Sequence, residues 1–387
     1  MHRGNTGRYD TVSAGGENVK AFIPRPLPPE PPLDLSNSRQ RLLEKATLAL
    51  GRLDSISILL PDPNVFLYAY IRREAVLSSQ IEGTQSSLDD LLLFELEEAP
   101  GVPLDDVVEV SNYVAALEHG MERLHKAFPL SNRLIRDMHK VLLARGRGSG
   151  KAPGEFRRTQ NWIGGSRPGN AHFVPPPPTH VEECMAALER FIHDALSPYP
   201  TLVKAALAHV QFETIHPFLD GNGRIGRLLI AFILHHGGML AKPLLYLSLY
   251  FKQNRSAYYV LLDRVRKEGD WEAWLDFFLK GVEDTASNAV RSAQRLVELF
   301  KKDGAKVQGI GRAASSVLRV FEALCKRPIT TVNDLSKRTR LSFQTATKCT
   351  DKLVEVGIIK ERTGRKRNRV FAYERYLAVL NEGAEPL

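Results

Sequence analysis

The chain has 387 residues, 43% hydrophobic and 25% charged, enough apolar matter for two or three folded domains; a polypeptide disordered throughout is excluded. Lys+Arg 53 against Asp+Glu 44 gives +9, but residues 312–387 alone carry 16 basic and 8 acidic residues, leaving 37 against 36 before them, so a nucleic-acid footprint over the whole protein is excluded and a local one near the C-terminal end is not. Three separated cysteines (Cys184, Cys325, Cys349) make no disulfide framework or metal knuckle, the longest apolar run near the middle (228–234) is far short of a membrane helix of ~20 residues, and no apolar signal segment opens the chain; a cytoplasmic protein with no membrane partner is expected.

Residues 1–35 are rich in Pro and Gly and read as an extended arm. From 36 to about 94 the pattern is helical, broken at 61–63, and Arg72, Arg73 and Glu74 are expected on the exposed face of the second helix. Two amphipathic helices follow at 105–128 and 132–144, with Ser131 as N-cap of the second. Residues 146–178 break the helical rhythm, and 159–163 with 172–174 read as two short strands of a hairpin, Trp162 sitting in its base. Helices resume at 181–195, 202–215 and 227–236, the last ended by Gly237 and Gly238. Two more are expected at 271–279 and 284–302, and 302–313 reads as a joint between domains. The fold class is therefore mainly α, with one small β-hairpin in the larger domain.

Residues 216–227 read His-Pro-Phe-Leu-Asp-Gly-Asn-Gly-Arg-Ile-Gly-Arg, placed where one apolar helix breaks at Pro217 and the next begins. Gly221 and Gly223 around Asn222 let the backbone turn tightly and come close to a ligand. A Gly-rich loop at a helix N-terminus gathers N–H groups and the positive dipole end at one point, which suits phosphate. Arg224 and Arg227, three residues apart on that helix, add fixed positive charge. Asp220 is a hard oxygen ligand suited to Mg2+ bridging phosphates, and His216 is the residue there whose ordinary pKa suits proton abstraction near pH 7. Base, metal ligand, phosphate nest and arginines together point to phosphoryl or nucleotidyl transfer.

The segment matches the motif HxFx[DE]GNGRxxR of Fic proteins without departure, and residues 36–300 resemble that family more widely. The resemblance implies a helical bundle with a β-hairpin flap, and transfer of AMP from ATP to a protein hydroxyl with release of pyrophosphate. His216 would then deprotonate the acceptor Tyr, Thr or Ser, and Asp220 would hold Mg2+. Gly221, Asn222, Gly223, Arg224, Ile225, Gly226 and Arg227 would line the phosphates, and Tyr258 and Tyr259 the adenine. In the flap, Ile163, Gly164, Gly165 and Ser166 would pair with an extended segment of the target protein, or of the chain itself. Ser78, Glu82 and Gly83 lie in a Ser-Ser-Gln-Ile-Glu-Gly stretch that resembles the family's inhibitory motif, in which Glu82 would pair with Arg227 and exclude the γ-phosphate. The domains expected are thus an arm (1–35), a helical region with the inhibitory helix (36–100), a catalytic core (101–300) and a small C-terminal domain (313–376).

That last domain reads as a winged helix. Helices at 316–325 and 331–339, the latter capped by Thr331, precede a recognition-helix position at 342–356. Strands at 358–362 and 369–373 flank a basic tip, Gly364-Arg365-Lys366-Arg367-Asn368. Such a module binds DNA or joins two copies of the chain, and the sequence leaves both open. The expected activity is a self-inhibited protein adenylyltransferase using ATP and Mg2+; a DNA-binding regulator with a nucleotide-sensing core and an enzyme that removes AMP are its alternatives.

Overall fold

Gly15 and Gly16, both in the left-handed region (φ 56° and 82°), turn the chain between two antiparallel strands, so residues 7–24 form a hairpin rather than an open arm. Alternation in the second strand, with Val19, Ala21 and Ile23 inward, outweighs the Pro and Gly around it. The computed structural model describes residues 3–59, 63–96, 104–311, 313–365 and 367–382; Pro61 at the expected helix break and Lys366 at the basic tip lie outside them. In chain order the elements are β1 (Gly7–Ala14), β2 (Glu17–Pro24), α1 (Ser38–Leu59), α2 (Pro63–Ile81), α3 (Leu88–Phe94), α4 (Leu104–His125), α5 (Asn132–Leu142), α6 (Pro178–His193), α7 (Thr201–Ile215), α8 (Asn222–His236), α9 (Ser248–Gln253), α10 (Arg255–Glu268), α11 (Trp271–Gln308), α12 (Ala314–Lys326), β3 (Ile329–Thr331), α13 (Val332–Thr339), α14 (Phe343–Glu355), β4 (Lys360–Glu361), β5 (Val370–Ala372) and α15 (Glu374–Asn381). No helix among the described residues is long and apolar enough to cross a membrane.

Two units divide the chain, Met1–Asp54 with Ser111–Ala286 and Ser55–Val110 with Ser287–Leu387. Helix α11 runs unbroken to Gln308, into the joint expected at 302–313, and the two helices expected at 271–279 and 284–302 are one. The intervening residues 280–283 (Lys-Gly-Val-Glu) lack the Pro that would stop a helix, and one glycine costs only ~1 kcal/mol.

In the first unit α7 is buried from Leu202 to Ile215 except at Lys204, so apolar residues lie all round it rather than on one stripe. It lies against α6 and α8, and Trp274 of α11 donates its indole N–H to the Ala206 carbonyl at 2.9 Å. The first residues are tied down: Arg3 forms a bidentate ion pair with Glu272 at 2.6 Å, with 2% and 6% of the side chains exposed.

In the second unit α12, α13 and α14 pack together, and the sheet order is β3-β5-β4, antiparallel throughout. Thr331 caps α13 and Ser342 caps α14, their hydroxyls accepting from Asp334 and Thr345 N–H at 3.2 Å. The buried Asp303 accepts from the Tyr373 hydroxyl at 2.6 Å and from Arg375 at 2.5 Å. Against expectation, Arg72, Arg73 and Glu74 of α2 are buried. Arg72 lies over the Tyr68 ring and pairs with Glu95 at 2.8 Å, while Arg73 donates to the Glu382 carbonyl at 2.7 Å. Partners 23 and 309 residues away cannot be read from helical spacing. Ser78 is fully buried near the end of α2; Glu82 and Gly83 follow the helix in an exposed turn, with Gly83 at φ 103°.

Candidate active site at the α7–α8 turn

Helix α7 stops at His216, which adopts the left-handed conformation (φ 49°, ψ 59°) and donates its N–H to the Phe212 carbonyl at 2.9 Å. Pro217 disfavours continuation, because the residue before a proline is driven out of the helical region. A non-glycine residue held there costs about 1 kcal/mol or more, so its surroundings must fix it.

They do so through its carbonyls. Buried Arg157 donates from Nε to the His216 carbonyl at 2.9 Å, and its own N–H goes to the Pro217 carbonyl at 2.9 Å. Asn161 Nδ2 reaches the Phe218 carbonyl at 2.9 Å. Asn222 closes the loop on itself, its amide accepting from Phe218 N–H and donating to the Phe218 carbonyl, both at 2.8 Å. His139 receives the Gly154 N–H on Nδ1 at 2.9 Å, which leaves its Nε2 as donor to the Asp220 carbonyl at 3.0 Å, and it stacks on Phe218 at 3.7 Å. Burial draws the His139 pKa down to about 4, so the ring is neutral at physiological pH.

The turn leads directly into α8, of whose first residues Gly223 is half-buried and Asn222 and Arg224 are buried. Gly221 takes φ 76° as N-cap, where a Cβ would lie 3.2 Å from Leu142 and 3.5 Å from the His139 ring. Asp220 accepts from Gly221 N–H at 2.6 Å and pairs with Arg224 at 3.2 Å; 31% of the Asp220 side chain is exposed, against 3% for Arg224. Asp220 is thus the accessible carboxylate of the turn. Among the described residues no cluster of three or more His, Cys, Asp or Glu groups is placed to hold a metal by itself.

The helix begins at Asn222, five residues before the expected 227, because Asn222 bonds the loop with its side chain and leaves its backbone helical. Two of the residues expected to line the phosphates, Ile225 and Gly226, are packed into the protein in this structure. Ile225 is 1% exposed and belongs to the core, and Gly226 is where α8 touches α7: a Cβ there would lie 2.3 Å from Glu213 Oε1 and 3.1 Å from Phe212. The Gly226 carbonyl instead accepts from buried His209, whose other ring nitrogen takes the Tyr258 hydroxyl at 2.9 Å. Tyr258, expected beside the adenine, is buried and stacked on Phe251 at 4.6 Å, while Tyr259 beside it is 42% exposed.

The expected two-stranded flap is shorter than the sequence implied. Ile163 and Phe173 make one antiparallel bridge, with Ile163 N–H on the Phe173 carbonyl at 2.8 Å and Phe173 N–H returned at 3.1 Å. Gly164 and Gly165 (φ 68° and 72°) end the pairing, and the Asn170 side chain gathers the N–H groups of Ser166 and Arg167 instead. Gly164, Gly165 and Ser166 are exposed and Ile163 half-buried; Trp162, expected in the base, is exposed too. The inner side of the flap is occupied by the N-terminal hairpin. Phe22 N–H donates to the Val174 carbonyl at 2.9 Å, Val174 packs with Ala14, Val19 and Ala21, and Arg167 pairs with Glu17. Arg157, His139, Asn161 and this hairpin were not foreseen: each acts through partners distant in sequence.

Comparison with known proteins agrees with this geometry. The Fic/DOC family N-terminal profile matches residues 40–122, and the Fic/DOC family profile matches residues 129–234. Protein adenylyltransferase Fic of Drosophila grimshawi is 32% identical over 231 residues, covering 58% of this chain and 44% of that protein. The protein of the same name from Drosophila melanogaster is 31% identical over 186 residues, covering 48% and 35%. The chain thus spans less than half the length of these curated relatives. Among solved structures, a Fic family protein from Desulfovibrio desulfuricans superposes with a TM-score of 0.58 at 20% identity, over 89% of this chain and 98% of that one. A Fic domain containing signaling protein from Bacteroides thetaiotaomicron gives 0.52 at 21% identity, over 65% and 97%. At such identity the likeness is one of fold, and it joins the two profile matches and the complete 216–227 motif. The chain thus carries a Fic domain at residues 129–234, preceded at residues 40–122 by the N-terminal region of the Fic/DOC family.

Proposed function

We propose that the protein is an adenylyltransferase that moves AMP from ATP to a Ser, Thr or Tyr hydroxyl of a target protein or of itself. The observation that carries this reading is the rigid turn after α7, which puts His216, the accessible Asp220 carboxylate and the N-terminus of α8 on one short loop. The name that the curated relatives carry supports it. His216 takes the hydroxyl proton, the oxygen attacks the α-phosphorus, the bond to the bridging oxygen breaks and pyrophosphate leaves. Mg2+ enters with ATP: one carboxylate beside phosphate oxygens suits an ion that keeps several waters, and Asp220 would supply it. The N–H groups at Asn222 and Gly223, with Arg224 and Arg227, would meet the charge that grows on the leaving group, while Gly221 N–H holds the Asp220 carboxylate. The exposed turn at Gly164, Gly165 and Ser166, next to the Ile163–Phe173 bridge, would receive the target segment. His216→Ala should keep Mg·ATP binding and lose ~10²–10⁴ of the transfer rate, read as label from α-labelled ATP with the added mass checked as AMP. Near wild-type transfer would remove His216 as the base.

The family resemblance of Ser78, Glu82 and Gly83 supports a brake in which Glu82 holds Arg227 away from the γ-phosphate. Glu82→Gly should raise self-labelling at least about tenfold, ~1.4 kcal/mol of barrier, and Glu82→Gly with His216→Ala should label nothing. Equal labelling by wild type and Glu82→Gly would reduce the segment to a helix end. For the C-terminal residues 313–376 we favour a winged helix that binds DNA, with pairing of two chains as the other outcome; the capped α13 and α14 and the basic tip support it. Cytoplasmic residence fits the three free thiols.

A further inference from the structure

Arg157 is 2% exposed, and its side-chain hydrogen-bond partners are carbonyl oxygens. Nε donates to His216 at 2.9 Å, Nη2 to Pro176 at 2.5 Å and to Ile215 at 3.4 Å, and Nη1 to Thr159 at 3.4 Å. Ile215 and His216 are the last carbonyls of α7, the negative end of its dipole. Thr159 and Pro176 are the two points at which the flap leaves and rejoins the body, flanking the bridge between Ile163 and Phe173. One planar fork therefore spans both flap stems and the end of the helix that carries the base.

A buried cation without a carboxylate partner is costly, and a stem and a helix end could be joined by neutral donors. What the guanidinium adds is a fixed angle between several carbonyls, which a flexible point charge such as lysine cannot copy. Burial lowers the Arg157 pKa to about 10, which still leaves it charged near neutrality. His216 has its N–H fixed by Phe212 and its carbonyl by Arg157, so its backbone is held at both ends. Without the fork, Pro217 would favour relaxation of His216 towards the extended region, and the ring would swing with it.

We infer that Arg157 is a positioning residue that sets the distance between the flap, which would present the target hydroxyl, and the His216 ring that takes its proton. This rests on the adenylyl-transfer reading. The test uses the full-length Glu82→Gly protein as parent. Adding Arg157→Lys should slow self-labelling at saturating ATP by about 10–100-fold, leave the half-saturating ATP concentration within about twofold, and move the His216 ring resonance in a histidine-labelled NMR spectrum. Arg157→Ala should recover part of its rate with added guanidinium and none with methylammonium at equal ionic strength. Labelling as fast as the parent, a raised half-saturating concentration with an unchanged maximal rate, or an unmoved resonance would overturn the inference. So would loss of the melting transition in Arg157→Lys, because the residue would then serve stability alone. A parent that labels nothing counts against adenylyl transfer instead, and the resonance then decides the positioning role by itself.

Discussion

His139 Nε2 donates to the Asp220 carbonyl in either charge state, but its Nδ1 accepts the Gly154 N–H only while the ring is neutral. Burial lowers its pKa from 6.5 to about 4, and that of buried His209 to about 3. Between pH 4 and 6.5 the unfolded chain binds protons that the folded chain refuses, so stability falls as pH drops through that window. For His139 the difference of 6.5 − 4 is worth about 3 kcal/mol. Urea unfolding at pH 7.5 and 4.5 should show the loss, and His139→Gln, which cannot titrate, should lose about that much less; parallel curves would mean that His139 does not couple to folding. His216 was legible in the sequence because its meaning lies in the eleven residues that follow it. His139 and Arg157 have partners up to 81 and 59 residues away, so nothing local marks them.

The helices around the turn were legible because burial on one side imposes a period, and α5 to α8 end within a few residues of their expected bounds, except for the early start of α8. Short strands gave less. The flap keeps one bridge because Gly164 and Gly165 turn the chain away, and the N-terminal hairpin was hidden by the prolines that follow it. That hairpin covers one edge of the flap, with Phe22 N–H on the Val174 carbonyl. Val19 is 8% exposed in the small cluster with Val174, so Val19→Asp would bury an unpaired carboxylate there. The flap should then open locally, and chymotrypsin should cleave after exposed Trp162 about tenfold faster or more. An unchanged cleavage rate would mean that the hairpin does not brace the flap.

At the scale of the molecule, +8 of the formal +9 lies in residues 312–387. If 313–376 binds DNA, replacing Arg365 and Arg367 by Gln should weaken binding to random duplex and flatten its salt dependence by roughly one unit of slope per lost phosphate contact. An isolated dimer with no salt-dependent shift would assign the segment to pairing of chains instead. The division into units has another consequence, which concerns the order of synthesis. Residues 55–110 emerge from the ribosome early, but the segment they fold with begins at residue 287, and residues 111–286 must be made in between. At ~5–20 residues per second that is a wait on the order of ten to thirty seconds, during which Phe66, Tyr70, Val76 and Leu77 of α2 have no partners from 287 onward. The half-made chain is thus a client for chaperones, and one that stops at Ala286 never ceases to be.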